Sequence, residues 1–292
     1  MAQFVLDSVG KTFAGPVPVT ALDGVNLRVR AGEFVCLLGA SGCGKSTLLD
    51  ILAGLALAST GSALFDGKPI AEPDPRRGLV FQDPALFPWR TIAQNVAFGP
   101  ELRGLGRRER RARACASLSR VGLGGFEDAY PHQLSGGMRQ RAGIARALAN
   151  DPQVLLMDEP FGAVDHLTRI ALQEDLLRLW ERERRTIVFV THDVGEAVFL
   201  ADRVVLLSSQ PGRIHRIFDI DVARARAGTE GTDRDRGGDL PGAPWPRSMA
   251  SSRRCGRPEQ EIGPGWYLGA VNRVQRRQIL VSTAPRQSGP HR

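Results

Sequence analysis

The sequence predicts an α/β fold, and three observations carry the prediction. Five short, nearly continuous apolar runs alternate with helix-like segments: "FVCLLG" (Phe34 to Gly39), "GLVF" (Gly78 to Phe81), "VLLMD" (Val154 to Asp158), "TIVFVT" (Thr186 to Thr191) and "RVVLL" (Arg203 to Leu207). Such runs read as strands buried on both faces, hence a sheet covered by helices on either side. A glycine-rich loop, "GASGCGKST" (Gly39 to Thr47), follows the first run and precedes the helical "TLLDILAGL". From about residue 89 to 150 there is no comparable strand, only Arg-rich helical pattern such as "RGLGRRERRARACASLSRVG", which reads as a helical subdomain inserted in the α/β core.

Size and charge bound what the chain does. Its 292 residues, 42% hydrophobic, suffice for a sizeable core. The formal net charge of +8 invites a nucleic-acid reading, but thirteen Arg, no Lys and six acidic residues fall between Val222 and Arg292, so +7 of the charge sits there. The rest is nearly neutral, which argues against nucleic acid as a partner of the body. Cys36, Cys43, Cys115 and Cys255 form no CxxC pair and read as reduced thiols, without structural zinc. "MAQFVLDSVG" has no basic stretch leading into an apolar core, and no apolar run reaches the ~18 residues of a spanning helix, so a chain that is neither exported nor integral to a membrane is expected. From Val222 on, Gly-, Pro-, Ser- and Arg-rich sequence without a period predicts a disordered or aberrant extension over 222–292, leaving 1–221 as the folded domain.

The loop "GASGCGKST" fits GxxxxGK[ST] in the strand-loop-helix context its mechanism needs. Backbone N–H groups across Gly39, Ala40, Ser41, Gly42, Cys43, Gly44 and on to Thr47 would cradle phosphates, Lys45 would add positive charge, and Ser46 would offer a hydroxyl to Mg²⁺. Asp158 and Glu159 end the strand "VLLMD" and suit one carboxylate for the metal and one for the attacking water. A solvated acidic pair closing a strand is the plainer alternative. Together these predict a phosphate-loop nucleotide hydrolase.

The stretch "HQLSGGMRQRAGIARAL" (His132 to Leu148) places two helix-weakening glycines, Gly136 and Gly137, at the start of a well-patterned helix. One reading is a turn with Ser135 as N-cap; the other is an anion site at the helix start, where N–H groups and the dipole's positive end are exposed.

With "FQDPALFPW", "LSGGMRQR", "FGAVD" and "VTHD" following the phosphate loop in order, Phe4 to Ile217 resembles the nucleotide-binding subunit of ATP-binding cassette transporters. The resemblance implies a β-subdomain at the N-terminus, ATP and Mg²⁺ as cofactors, and two cassettes paired head to tail, each "LSGG" closing on the partner's ATP. It further implies that Phe13 stacks on adenine, where a core Phe is the alternative. Gln82 looks like the glutamine contacting Mg²⁺ and water, Asp158 a magnesium ligand, Glu159 the catalytic carboxylate and His192 the γ-phosphate switch. On this reading Gly137 lacks a side chain so that the γ-phosphate can approach, and Gly137→Asp should abolish hydrolysis. "ALFPW" puts Leu86, Phe87 and Trp89 together, as a docking site or as internal packing.

The segments around Pro88-Trp89 and "EAVFLADRVVLLS" are similar to the taurine, aliphatic sulfonate and nitrate class of bacterial importers. That class implies integral membrane permease partners, an indirect periplasmic solute-binding protein, and a peripheral place on the cytoplasmic face of the inner membrane. A sulfonate such as taurine is expected, with nitrate the alternative. A DNA-associated cassette ATPase is a competing class, but the interval from Gln82 to Leu134 is too short for its coiled coil and lacks heptads. A nucleotide kinase leaves "LSGG" and His192 unexplained. Val164, where the family often has Leu, is a small apolar departure.

Overall fold

The computed structural model describes residues 2–220; the extension expected over 222–292 lies outside the described residues. In chain order the elements begin with β1 (Ala2–Phe13), β2 (Val19–Arg30), β3 (Phe34–Leu38), α1 (Lys45–Ala53), β4 (Thr60–Phe65), β5 (Lys68–Pro69) and β6 (Arg77–Val80). The helical stretch follows as α2 (Ile92–Val96), α3 (Phe98–Leu102), α4 (Arg107–Arg120) and α5 (Gly136–Leu148). Then come β7 (Val154–Asp158), α6 (His166–Glu183), β8 (Thr186–Thr191), α7 (Val194–Leu200), β9 (Arg203–Leu207) and β10 (Ile214–Asp219).

The five apolar runs are the five parallel strands of one sheet, ordered β10-β9-β3-β8-β7-β6, with β10 antiparallel on its edge. Their period of two explains why every position is apolar. Phe34 and Cys36 of β3, Leu155 and Met157 of β7, and Ile187 and Phe189 of β8 face one core, shared with α2, α4, α5 and α6. Val35, Leu37, Val154, Leu156, Val188 and Val190 face the other, filled by α1 and the N-terminal strands.

Those strands form the second sheet, antiparallel in the order β2-β1-β4-β5. Here one face is covered: Leu22, Val25, Leu27 and Val29 of β2 are buried and alternate with exposed or half-buried neighbours. The two sheets meet beside the phosphate loop, where Asp23 N–H donates to the Gly212 carbonyl (3.0 Å) and Gly212 N–H to that of Ala21 (2.9 Å).

The helical stretch is organised by caps and one buried amide. Thr91 caps α2, accepting from Gln94 N–H at 3.3 Å while its own N–H donates to the Gln94 side chain at 2.8 Å. Asn95 is fully buried and pins the preceding loop: its Oδ1 accepts from Phe87 N–H (2.7 Å), and its Nδ2 donates to the carbonyls of Phe87, Arg90 and Thr91. α5 packs against α2 and α4 and against β6 of the sheet, so the insertion and the α/β body share one core.

Candidate active site

β3 ends at Leu38 and α1 begins at Lys45, so the loop between them opens at the carboxyl edge of the parallel sheet, where such sheets bind ligands. Its tight path needs left-handed backbone at Gly42 (φ +78°) and Gly44 (φ +95°). A Cβ on Gly44 would also come within 2.7 Å of the Ala21 carbonyl oxygen, so glycine is required twice over. Lys45 is buried and its ammonium fills the loop, donating to the carbonyls of Gly39 (2.7 Å) and Ala40 (3.0 Å). Ala40, Ser41, Gly42 and Ser46 are exposed, Gly44 and Thr47 half-buried, and Gly39 and Cys43 buried. The loop therefore offers its backbone, and its one cation, to an anion.

Opposite stand the carboxylates. Ser46 Oγ donates to Asp158 Oδ1 at 3.1 Å, joining the helix after the loop to the end of β7. Glu159, the next residue, has left-handed backbone (φ +41°), uncommon for a residue other than glycine. Its carboxylate lies between two partners: Oε1 is 4.0 Å from Lys45 Nζ and Oε2 is 3.0 Å from His192 Nδ1. His192 is exposed, directly after β8, while Asp193 takes the capping role at α7 by accepting from Glu196 N–H. Burial raises the Asp158 carboxyl above its ordinary range, against the Ser46 bond that lowers it, and Glu159 adds to the rise. Asp50, one turn along α1, is pushed up to about 7 by burial and by Asp158. A half-buried carboxylate beside a hydroxyl, with excess negative charge around it, is the hard-oxygen set that suits Mg²⁺ held jointly with phosphate and water. Among the described residues no group of three His, Cys, Asp or Glu is placed to hold a metal ion.

The stretch around Gly136 forms α5 with Ser135 as its N-cap, Ser135 Oγ accepting from Met138 N–H at 3.3 Å. The two glycines differ. Gly136 is exposed, and a Cβ there would meet only Arg139 Nη2 at 3.9 Å; Gly137 is buried, and a Cβ there would strike Thr168 Cγ2 of α6 at 2.4 Å. Packing of α6 is thus a second reason for a bare Gly137, beside the approach of a phosphate that the sequence suggests, and Gly136 is the open position. Among the described residues no hydrogen bond or ion pair joins residues 135–137 to the phosphate loop.

The remaining predicted residues separate. Phe13 is 42% exposed at the end of β1, which rules out a core role, and Lys11 Nζ lies 5.2 Å from its ring centroid. The Gln82 side chain is exposed and makes no hydrogen bond among the described residues; its Nε2 lies 3.1 Å from where a Gly162 Cβ would be, beside the Glu159 turn. Of "ALFPW", Leu86 packs against the core and Phe87 sits half-buried against Phe98 (4.8 Å between ring centroids), whereas Trp89 is 70% exposed.

The family model for ABC transporters matches residues 22–162. The chain is 49% identical over 211 residues to the taurine import ATP-binding protein of Rhizobium johnstonii, covering 72% of this chain and 80% of that one. It is 50% identical to the nitrate import ATP-binding protein of Synechocystis, covering 75% and 80%. The chain belongs to the ATP-binding subunits of ABC transporters. A solved dimeric ATP-binding cassette in a post-hydrolysis state, bound to ADP and Pi, superposes with a TM-score of 0.65 at 35% identity, covering 74% of this chain and 98% of that one. The cassette is accordingly an ATPase that drives transport, and none of its described helices is long and apolar enough to cross a membrane.

Three features of the cassette's site escaped the sequence reading. Asp50 looks like an ordinary polar helix residue until α1 is laid against β7; Thr168 and Gly162 matter only through contacts with Gly137 and Gln82, thirty-one and eighty residues away. No local signal marks such pairs.

Proposed function

We propose that this cassette is the ATP-hydrolysing subunit of an importer, working as a head-to-tail pair to take up a small anion, a sulfonate such as taurine ahead of nitrate. The pairing is supported by one observation: a capped, open helix start at Ser135 and Gly136, with the exposed N–H groups that suit an anion, in addition to the chain's own phosphate loop. A second copy supplies the nucleotide such a site needs, and the solved dimeric cassette bound to ADP and Pi is similar in fold. The import assignment rests on the taurine and nitrate relatives.

In this reading residues 39–47 and Lys45 hold the ATP phosphates, and Phe13 offers its open face to adenine. Ser46 and Asp158, with Gln82, hold Mg²⁺, which when bound neutralises phosphate oxygens as charge shifts to the leaving group. Glu159 orients the attacking water and accepts its proton, steadied by His192 across their 3.0 Å contact, and His192 reaches the γ-phosphate. Ser135, Gly136 and Gly137 of the second copy close over the nucleotide. Residues 1–221 carry this work. Permease subunits dock beside Trp89 at the cytoplasmic face of the membrane, and a periplasmic binding protein acts through them.

Gly136→Asp tests the pair. The position is open, and an acidic residue in a helix's first turn favours the dipole, so folding and ATP binding at the phosphate loop should persist while turnover falls at least ~100-fold. Unchanged turnover rejects the anion site. For the solute, deleting the gene in its source strain should abolish uptake of labelled taurine and spare nitrate; the reverse outcome assigns nitrate.

A further inference from the structure

The loop carrying Gln82 is gripped by α5. Gln140, buried in that helix, donates from Nε2 to the Phe81 carbonyl at 3.3 Å. Arg146 places its two terminal nitrogens on successive carbonyls, Nη2 on Pro84 (2.5 Å) and Nη1 on Ala85 (2.9 Å). Between them Gly143 lets the loop approach so closely that a Cβ there would lie 3.0 Å from Pro84 Cβ. The three residues recur every third position and so occupy one stripe of the helix. On its other side the loop meets the catalytic turn: Gln82 Nε2 abuts Gly162, whose N–H donates to the Glu159 carbonyl at 3.0 Å. The same helix begins at Ser135 and Gly136.

We infer that Arg146 is a positioning residue, locking the Phe81–Ala85 backbone to α5 so that a shift of the helix, when its first turn meets a phosphate, is passed to Gln82 and the Glu159 turn. A planar guanidinium fixed on two adjacent carbonyls sets both distance and orientation, which the single ammonium of lysine does not. Gln140 and the bare Gly143 complete the clasp. These bonds of Arg146 are to the loop backbone, and its effect passes through Gln82, so the inference rests on the role proposed for that residue.

The test is a double-mutant cycle in the full chain, Arg146→Lys crossed with Gln82→Ala, with kcat and KM measured for MgATP. In the wild-type background Arg146→Lys should lower kcat roughly 10- to 100-fold, the cost of a small misplacement, with KM changed less than about twofold. In the Gln82→Ala background the same substitution should change kcat less than about twofold. Equal losses in both backgrounds overturn the inference; a Gln82→Ala variant with undiminished kcat overturns the proposed role of Gln82 itself. Hydrogen exchange supplies a readout independent of turnover. Amides over 82–87 should exchange faster in Arg146→Lys while those of β7 and β8 stay as in the wild type, and unaltered exchange at 82–87 also overturns the clasp.

Discussion

Glu159 concentrates the site's chemistry in one side chain, between the Lys45 ammonium and the His192 ring, on a left-handed backbone that aims it off the end of β7. Glu159→Gln keeps the shape and removes the proposed base, so kcat should fall about 10²- to 10⁴-fold with ATP affinity retained. A single-turnover assay beside nucleotide titration separates the two effects, and hydrolysis at the wild-type rate would show that another group takes the proton. Asp50 makes a different kind of prediction. Its carboxyl ionises near 3.8 in the unfolded chain and about 7 in the folded one, so the folded state binds the extra proton. Stability from this group is therefore fully present below pH 3.8 and is lost as pH rises through about 7. Asp50→Asn should raise the melting temperature of the nucleotide-free protein at pH 8, by a gain on the order of 4 kcal/mol at most, and the gain should vanish near pH 4. Equal melting temperatures at pH 8 would show that Asp50 carries no such cost.

At the scale of elements, α5 shows how a helix is fixed by what lies against its glycines. Gly137 seats on Thr168, and Thr168 in turn stands in the first turn of α6, where its N–H donates to the Asp165 cap at 3.0 Å. Gly137→Ala should therefore push α6 and cost about 1–3 kcal/mol. Adding Thr168→Ser removes the colliding methyl, leaving the next contact at 3.9 Å, and should restore most of the loss in a denaturation series. Additive losses would mean the strain lies elsewhere. This contact also marks what was legible in the chain. The five parallel strands were readable because burial on both faces makes every position apolar, and the Ser135 cap because capping is local. β1 and β2 alternate instead, one face in the core, and were placed only through the family resemblance. The open Gly136 and the packed Gly137 look identical in sequence, since the difference is a helix thirty residues downstream. The short α3 has no full apolar period to announce it.

For the whole molecule the decisive question is which chain's glycines meet which chain's nucleotide. If the two anion sites belong to different copies, defects in them must complement. Lys45→Met disables the phosphate loop and leaves the Ser135–Gly136 site intact; Gly136→Asp does the opposite. Each variant alone forms pairs in which both composite sites are broken. Mixed in equal amounts, half of the pairs are heterodimers, and in each of these the good phosphate loop of one copy faces the good helix start of the other. With independent sites, turnover per chain should recover to about a quarter of the wild-type value, because one site in two works in half of the pairs. Recovery should also fall steeply on dilution, since only the paired form turns over. No recovery at any mixing ratio rejects a site shared between two copies, and recovery that survives dilution rejects pairing as the step that assembles it.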